Sequence, residues 1–432
     1  MIARFRLPEM EKIWSDENRF QQMLQVELFV CEAMKDMGKL EQEVYDDIVA
    51  KAGFDLQRIR EIEEVTRHDV AAFFAAVSER IGEENAKKLH WGITASDLVD
   101  TSMAVQMRQA VDLIIGKLYQ LRDVLAELSK THKYTLMVGR THGEHAEPMS
   151  FGLKMVVWTG EIDRTLARLH QARSNVAVGK ISGAVGSYAH IDPFVEEHVC
   201  RRLDLRQAVS ATQILQRDRH AELLLMLALL GSTLDKFAIE IRTLERTEIA
   251  ELAEPFEHGM VGSFAMPHKI NPVKAERISG LARILRGNSM AALEDVPLWD
   301  ERDYTHASAE RIIIADSCLL ADYMLQMMLD TLQGISINHE QMEHNLDMTK
   351  GLIFSQRVLM ALQEHGVPRV QAYEMVQRNA IAAAQEHMDF AYYLLQDEEV
   401  MSFISIEELD SLFDYEYYLK HFDYIYKRAG IF

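Results

Sequence analysis

Apolar residues recur every three or four positions along one stretch of the chain, between residues 99 and 128. The members of this near-heptad stripe are Val99, Met103, Met107, Val111, Ile114, Leu118, Leu121, Leu125 and Leu128. A helix of this length is about 45 Å long, because each residue adds about 1.5 Å. One such rod cannot cover its own apolar stripe, so it must pack against other long helices. The stripe therefore predicts a bundle of long helices.

The same helical period continues through much of the remaining chain. Only eight prolines occur, and none lies within 9–147, 194–254 or 298–367, which leaves long windows free for helices. Ser15, followed by two acidic residues, predicts the N-cap and first turn of a helix. Apolar spacing and length predict further helices at 151–169, 218–250, 273–292 and 307–333. No alternating run of useful length predicts a strand, so the expected fold class is all-α.

The chain has 432 residues, which exceeds the size at which a single core stops growing. We predict three helical domains. An N-terminal domain spans 1–93, a central long-helix bundle spans 94–345, and a C-terminal helical cap spans 346–432. Neither an internal repeat nor a low-complexity linker marks these boundaries, so they depend on where the motifs lie.

The charge and cysteine content exclude several classes of function. The net charge is −21, from 46 basic and 67 acidic residues, and this field disfavours nucleic acid as a partner. A small anion can still bind where a few cations gather in a cleft. Three widely spaced cysteines indicate neither a disulfide framework nor a zinc site, which favours a reducing cytoplasm. The apolar run 223–230 is far shorter than the roughly 20 residues of a membrane span, so no membrane partner is expected.

The segment 259–272 is the most unusual part of the sequence. Two glycines lie at its entry and two prolines at its exit, where Asn271 and Pro272 suit the N-cap and N1 positions of the next helix. The N-terminus of a helix, next to the positive charge of Lys269, favours the binding of an anion. Ser263 lies close enough to act as a base if the surrounding cations stabilise its alkoxide. From composition alone, however, an ordinary connecting loop is the favoured interpretation.

The segment 139–148 contains two histidines and two glutamates. His142 and His145, with Glu144 nearby, could be metal ligands, but no third ligand lies at a convincing spacing, so a metal is disfavoured. An imidazole also exchanges a proton near neutral pH, which suits acid–base work. The residues alone leave both interpretations open.

The pattern Gly-Ser-x-x-Met-Pro-x-Lys-x-Asn-Pro, beginning at Gly262, resembles the signature of the fumarase/aspartase superfamily. Members of that superfamily perform β-eliminations that release fumarate. Within it, the chain is most similar to the adenylosuccinate lyase family, and the similarity extends over nearly the whole length. The resemblance implies a central long-helix bundle of the superfamily type and catalysis without a cofactor or a metal.

The resemblance also implies roles for individual residues. Ser263 would be the base, His142 the acid, and Glu276 the carboxylate near the catalytic histidine, with His68 a further catalytic residue. Arg302, Ser308 and Arg311 would form the cluster on the phosphate side. The full expected set of substrate-binding residues is Arg4, Phe5, Arg67, Asp69, His90, Thr94, Ser96, Thr141, Gln213, Lys269, Asn271, Arg302, Ser308 and Arg311.

Three residues depart from the family pattern. Phe5 stands where the family more often has tyrosine, Phe264 replaces the second serine of the signature, and Ile270 replaces a frequent arginine. Ser263 matches the first serine, which family members use as the base. The departures therefore affect the expected loop packing and substrate affinity. The catalytic groups that the resemblance implies are all present.

The expected reaction is the elimination of fumarate from adenylosuccinate to give AMP. The same chemistry would convert succinylated aminoimidazole carboxamide ribotide (SAICAR) to the free carboxamide (AICAR) in purine biosynthesis. The resemblance implies a homotetramer with shared active sites, each built from three subunits. Two alternatives stay open: another lyase or cycloisomerase of the superfamily with a non-purine substrate, and a non-enzymatic helical scaffold.

Overall fold

A computed structural model describes residues 2–256 and 259–432 and confirms the all-α fold class. The α-helices are Pro8–Ile13, Asp16–Asp36, Gln42–Lys51, Leu56–Thr66, Asp69–Ile81, Glu83–Ala86, Ala95–Thr131, Phe151–Val176, Pro193–Arg202, Asp218–Leu244, Val273–Glu294, Thr305–Gln333, His339–Asp347, Ser355–Glu364, Arg369–Glu386, Phe390–Gln396, Glu398–Met401, Ile406–Leu412 and Phe422–Arg428. Short 3-10 helices span Ala3–Phe5, Leu352–Phe354 and Tyr415–Leu419. The strands are Leu136–Thr141, Glu144–Ser150, Val178–Gly179, Arg206–Gln207, Leu252–Ala253 and Ser336–Ile337.

The near-heptad stripe forms one continuous helix, Ala95–Thr131. Six of its residues are fully buried: Met107, Val111, Ile114, Leu118, Leu121 and Leu125. The prediction of a long helix with a covered apolar face is therefore confirmed. The predicted cap at Ser15 is also confirmed, because its hydroxyl accepts a hydrogen bond from the Asn18 amide at 3.1 Å.

A β-hairpin that the sequence did not predict follows the long helix. Strands Leu136–Thr141 and Glu144–Ser150 pair antiparallel, with an irregularity between Val138 and Arg140. His142 and Gly143 form the two-residue turn, with φ values of 57° and 86°. Two successive residues with positive φ match the twist of a hairpin turn. The alternation of side chains is hidden by this irregularity and by a proline in the second strand.

The chain divides into two compact units. Unit 1 consists of residues 1–120, 164–236 and 277–328, and unit 2 consists of 121–163, 237–276 and 329–432. Unit 1 has an aromatic core in which the rings of Phe20 and Phe73 stack at 5.6 Å. A separate apolar cluster in unit 2 packs around the fully buried Phe390. The three-domain division of the sequence stays a prediction.

A buried ion pair organises part of unit 1. The side chains of Asp97 and Lys180 are both fully buried and bond to each other. Lys180 Nζ also donates to the Gln213 carbonyl at 2.9 Å. The Asp97 carboxylate accepts from the amides of Thr94, Ser182 and Gly183 at 2.8, 3.1 and 3.1 Å. Three chain segments that are distant in sequence are thus held around one pair of charges.

Among the described residues, the helix Thr305–Gln333 is long and apolar enough to cross a bilayer by length and composition alone. Its most apolar 18-residue window is 72% buried inside the protein. Core helices of water-soluble proteins meet the same criterion, so this feature is weak evidence for a membrane span.

Two glycines with similar backbone angles provide a matched stability test. Gly186 has a φ of +77°, and an added Cβ would lie 2.1 Å from the Ala211 carbonyl oxygen. Gly38 has a φ of +72° with open space around the same position. We expect Gly38→Ala to lower the free energy of unfolding by about 1 kcal/mol, from backbone strain alone. Gly186→Ala adds a steric clash of about 1–3 kcal/mol. Urea denaturation of both variants measures the difference, and equal losses would contradict this account.

Candidate active site

A cavity of about 690 Å³ lies in unit 1. Three segments that are far apart in sequence contribute predicted site residues to its wall, and these residues are Arg67, His68, Asp69, Ser96, Arg302, Ser308 and Arg311. Arginine guanidinium groups suit phosphate and carboxylate ligands because their donors form a planar fork. The cavity therefore has the chemistry of a site for a small anion.

Asp69 lies between two arginines of the cavity wall. Its Oδ2 atom accepts hydrogen bonds from Arg19 and, at 2.5 Å, from Arg311. Burial alone would raise the pKa of Asp69, but the charge of Arg19 and then of Arg311 lowers it below the usual value. Arg19 was not predicted from the sequence, because nothing in its surroundings separates it from an ordinary helix residue.

Gln213 is held beside the cavity by one of the wall arginines. Its Oε1 atom accepts from Arg302 Nη1 at 2.9 Å, and its Nε2 atom donates to the Ala184 carbonyl at 3.1 Å. Since Lys180 also holds the Gln213 backbone, the position of this side chain is fixed from both ends. The structure thus brings together Gln213 and Arg302, which the sequence analysis assigned to the same site.

A buried network of charges forms part of the cavity wall. Arg217 makes a bidentate pair with Asp100 at 2.8 and 3.0 Å. Glu310 bonds to His220 Nδ1 at 2.5 Å and to His306 Nδ1 at 2.9 Å. Burial acts to raise the pKa of Glu310, but the charge and hydrogen bond of His220 lower it well below its usual value. The Glu310 carboxylate therefore keeps its charge although it is almost fully buried.

The other predicted site residues of unit 1 are not among the described residues that line the cavity. His90 Nδ1 lies 2.8 Å from the Glu27 carboxylate; burial lowers its pKa, but Glu27 outweighs this and raises it overall. The Thr94 amide donates to Asp97. Arg4 and Phe5 lie in the first 3-10 helix, and the Phe5 ring meets the Tyr323 ring at 5.4 Å.

Unit 2 holds a second set of predicted residues. Thr141 ends the first hairpin strand, and His142 begins the exposed turn. The hairpin is fastened below this turn by Arg140, which bonds the fully buried Glu251 carboxylate at 3.0 and 2.6 Å. The turn is therefore presented on a rigid support.

Three predicted site residues are among the nine described non-glycine residues with a positive φ. Arg67, His90 and His142 all have φ values near +55°, a region that residues other than glycine rarely adopt. Such conformations cost energy and persist only where the surroundings impose them, often at functional sites.

Ser263 lies in the signature segment of unit 2. Its hydroxyl accepts from the Met266 amide at 3.1 Å. Lys269 is exposed, Asn271 is half-buried, and the ring of Phe264 is fully exposed. Phe264 and Ile270, which both differ from the family pattern, therefore expose apolar surface to solvent.

The predicted cap of the next helix is wrong. The helix begins at Val273, one residue after the predicted N1 position, and no described hydrogen bond joins the Asn271 side chain to its first-turn amides. Instead, the Glu254 carboxylate accepts from the amides of Lys274 and Ala275 at 3.0 and 2.7 Å. A carboxylate satisfies these donors better than the predicted amide, because it also complements the helix dipole. These amides are consequently not free to bind a substrate anion.

Three glutamates gather near this helix start. Burial, followed by the charges of Glu254 and Glu276, raises the pKa of Glu245 to about 7. Burial also raises the pKa of Glu254. The exposed Glu276 thus lies in an acidic environment within unit 2. Among the described residues, no group of three or more His, Cys, Asp or Glu side chains has an arrangement suited to a metal ion.

The chain matches two protein-family models. Residues 4–287 match a family described as lyase, and residues 351–429 match the C-terminus of adenylosuccinate lyase. Similar proteins named adenylosuccinate lyase include those of Bacillus subtilis, at 47% identity, and Synechocystis, at 45% identity. Both alignments cover 100% of this chain and of the relative.

Similar solved structures include a fumarate lyase from Mesorhizobium, with a TM-score of 0.91 and 28% identity. The alignment covers 99% of both chains. A 3-carboxy-cis,cis-muconate lactonizing enzyme from Pseudomonas putida has a TM-score of 0.89 and 29% identity, with coverage of 99% of this chain and 97% of that one.

Asp295 is a buried acid whose titration is measurable. It is 7% exposed and its Oδ2 atom has no partner among the described residues. Burial, and then the charge of Glu310, raises its pKa to about 6. A raised carboxyl pKa means that the folded state holds the proton more tightly, so stability falls as pH rises from about 4 to 6.

We expect Asp295→Asn to raise the free energy of unfolding at pH 7.5 by up to about 3 kcal/mol, because the amide carries no charge to desolvate. At pH 4 the gain should nearly vanish. Urea denaturation at both pH values tests this, and an equal effect at the two would contradict the assignment.

Proposed function

The chain belongs to the adenylosuccinate lyase family, and we propose that Ser263, His142 and the cavity of unit 1 carry out its reaction. As a member, it is a carbon–nitrogen lyase that eliminates fumarate from adenylosuccinate to give AMP, a step of purine biosynthesis. The same groups would act on SAICAR to give AICAR. The observation that carries the proposal is a cavity lined by Arg67, Arg302 and Arg311 in a chain of this family.

Ser263 removes the proton from the β-carbon of the succinyl group. The hydroxyl lies on a segment with a nearby cation, Lys269, and a half-buried amide, Asn271. Both can hold the substrate carboxylate, which gains charge when the proton leaves. Because Glu254 occupies the following helix start, the side chains of Lys269 and Asn271 supply this stabilisation instead of the helix amides.

His142 protonates the departing nitrogen as the carbon–nitrogen bond breaks. An imidazole suits this step because it donates and recovers a proton near neutral pH. The two-residue turn supports the role, since Arg140 and Glu251 fix the strand that carries it. Glu276 serves as the carboxylate partner of this histidine, and His68, exposed at the cavity, acts as a further catalytic group.

The cavity of unit 1 holds the nucleotide part of the substrate. Arg302, Ser308 and Arg311, which line the cavity, bind the phosphate, with Arg67, Asp69, Ser96 and Gln213 contacting the rest. Arg19 joins this set, because it shares the Asp69 carboxylate with Arg311. Arg4, Phe5, His90, Thr94 and Thr141 complete the proposed contacts.

The active form is a homotetramer in which each site takes residues from three subunits. The long helices support this, because apolar side chains stay exposed along them: Val157, Leu229, Ile239, Ile284, Met290 and Ile312. An exposed apolar face on a long helix is best buried against copies of itself. We place the enzyme in the cytoplasm, in keeping with its reduced and widely spaced cysteines.

Single substitutions test the proton-transfer roles. Ser263→Ala and His142→Ala should each lower single-turnover fumarate release at least about 100-fold, the usual contribution of a general acid or base. Release is followed in the ultraviolet. Ser402→Ala, at an exposed serine whose hydroxyl donates to the nearby Glu399 carbonyl, is the control and should keep wild-type rates. An unchanged rate in either test variant removes that role.

Mixing two inactive variants tests the sharing of sites. Purified Ser263→Ala and His68→Ala proteins should regain fumarate release after denaturation and refolding together, since mixed tetramers contain some sites with both residues intact. Each variant refolded alone is the control. If the mixture stays as inactive as its components, each subunit has a complete site of its own.

A further inference from the structure

The wall of the unit 1 cavity contains nitrogen atoms that lack a partner. Trp14 Nε1, Arg302 Nε and His306 Nε2 are shielded from water and have no hydrogen-bond partner among the described residues. All three residues line the cavity. A buried donor without an acceptor is costly, so three of them around one cavity indicate a ligand that brings acceptor atoms.

His306 has the most firmly fixed orientation of the three. It is 2% exposed and lies in the first turn of the helix Thr305–Gln333. Its Nδ1 atom lies 2.9 Å from Glu310 Oε2 and 3.2 Å from Arg217 Nε. Glu310 is in turn held by His220. These contacts fix the ring plane and leave Nε2 as the only free polar atom of the side chain.

The contacts at Nδ1 also determine what Nε2 can do. If Arg217 donates to Nδ1, the single proton of a neutral imidazole lies on Nε2. If the ring is protonated, Nδ1 donates to Glu310 and Nε2 again carries a proton. Nε2 is a hydrogen-bond donor in both arrangements. A neutral ring that donates from Nδ1 to Glu310 would leave Nε2 an acceptor, but it would point an N–H group at Arg217 Nε, which can only donate.

We propose that His306 binds the phosphate of the nucleotide substrate through Nε2, beside Arg302 and Arg311. The inference rests on the proposed function and adds a residue to its phosphate-binding set. The position in a first helical turn supports it, because the N-terminus of a long helix attracts anions. Phosphate oxygens are strong acceptors, so they match the unpartnered donors of this wall.

Two substitutions test the roles of the two ring nitrogens of His306 separately. In His306→Asn the amide can replace Nδ1 beside Glu310 but cannot reach the position of Nε2, whereas in His306→Gln it can place a donor there. The dissociation constants of AMP and adenosine, measured by calorimetry on the full chain, compare a ligand with and without the phosphate. His365→Asn, at a histidine paired with Glu408 in unit 2, is the control.

We expect His306→Asn to weaken AMP binding about 10-fold, the worth of one charge-assisted hydrogen bond, with adenosine binding unchanged. His306→Gln should keep most of the AMP affinity, and the control should keep all of it. The proposal is overturned if His306→Asn weakens the binding of AMP and of adenosine equally, or leaves AMP binding unchanged. It is also overturned if His306→Asn and His306→Gln lose the same amount of AMP affinity.

A crystal structure of the wild-type protein with AMP gives a test that does not depend on how the variants fold. A phosphate oxygen within hydrogen-bonding distance of His306 Nε2 is expected, and a phosphate bound elsewhere contradicts the assignment. If wild-type protein releases fumarate while these binding tests fail, only the role of His306 is lost. If it releases none, the proposed function itself is wrong.

Discussion

Asp97 and Lys180 place two opposite charges in the interior of unit 1, and the arrangement of the neighbouring site segments depends on them. Each charge is fully buried, so neither is stable without the other. Removing one partner of such a pair typically costs about 3–5 kcal/mol, because the remaining charge has no water to solvate it. The pair also satisfies backbone groups at Thr94, Ser182 and Gln213. The stability of the interior and the placement of these segments therefore have one physical origin.

The second set of residues is held by the same kind of interaction. In unit 2 the buried carboxylate of Glu251 bonds both Arg140 and the Asn345 amide. This carboxylate fixes the hairpin strand and, through its own backbone, the segment that leads toward Glu254. In unit 1 a buried carboxylate thus holds loops whose backbones lack the ladder of bonds that helices provide. In unit 2 a buried carboxylate joins a hairpin strand to the helix His339–Asp347.

The sequence predicted the helices well because their signal is local. The stripe from Val99 to Leu128 and the cap at Ser15 depend on residues within a few turns, and both were confirmed. The hairpin was missed, because its pairing joins residues across a turn that only positive φ values at His142 and Gly143 make possible. The cap at Glu254 was missed because it lies 20 residues before the first amide it holds. Arg19 was missed because its partner, Asp69, is 50 residues away.

The hydrogen bonds from the Lys274 and Ala275 amides to Glu254 join the chain on either side of the signature segment. A chain segment whose ends are fastened together behaves as a closed ring, and rearrangements inside it do not pull on the helix that follows. The entropy of such a ring changes only slowly with its length, by about 0.6 kcal/mol for each doubling. A change of one or two residues in the length of the ring should therefore leave the long helices in register, so that its effect falls on the spacing of the signature residues and not on the bundle.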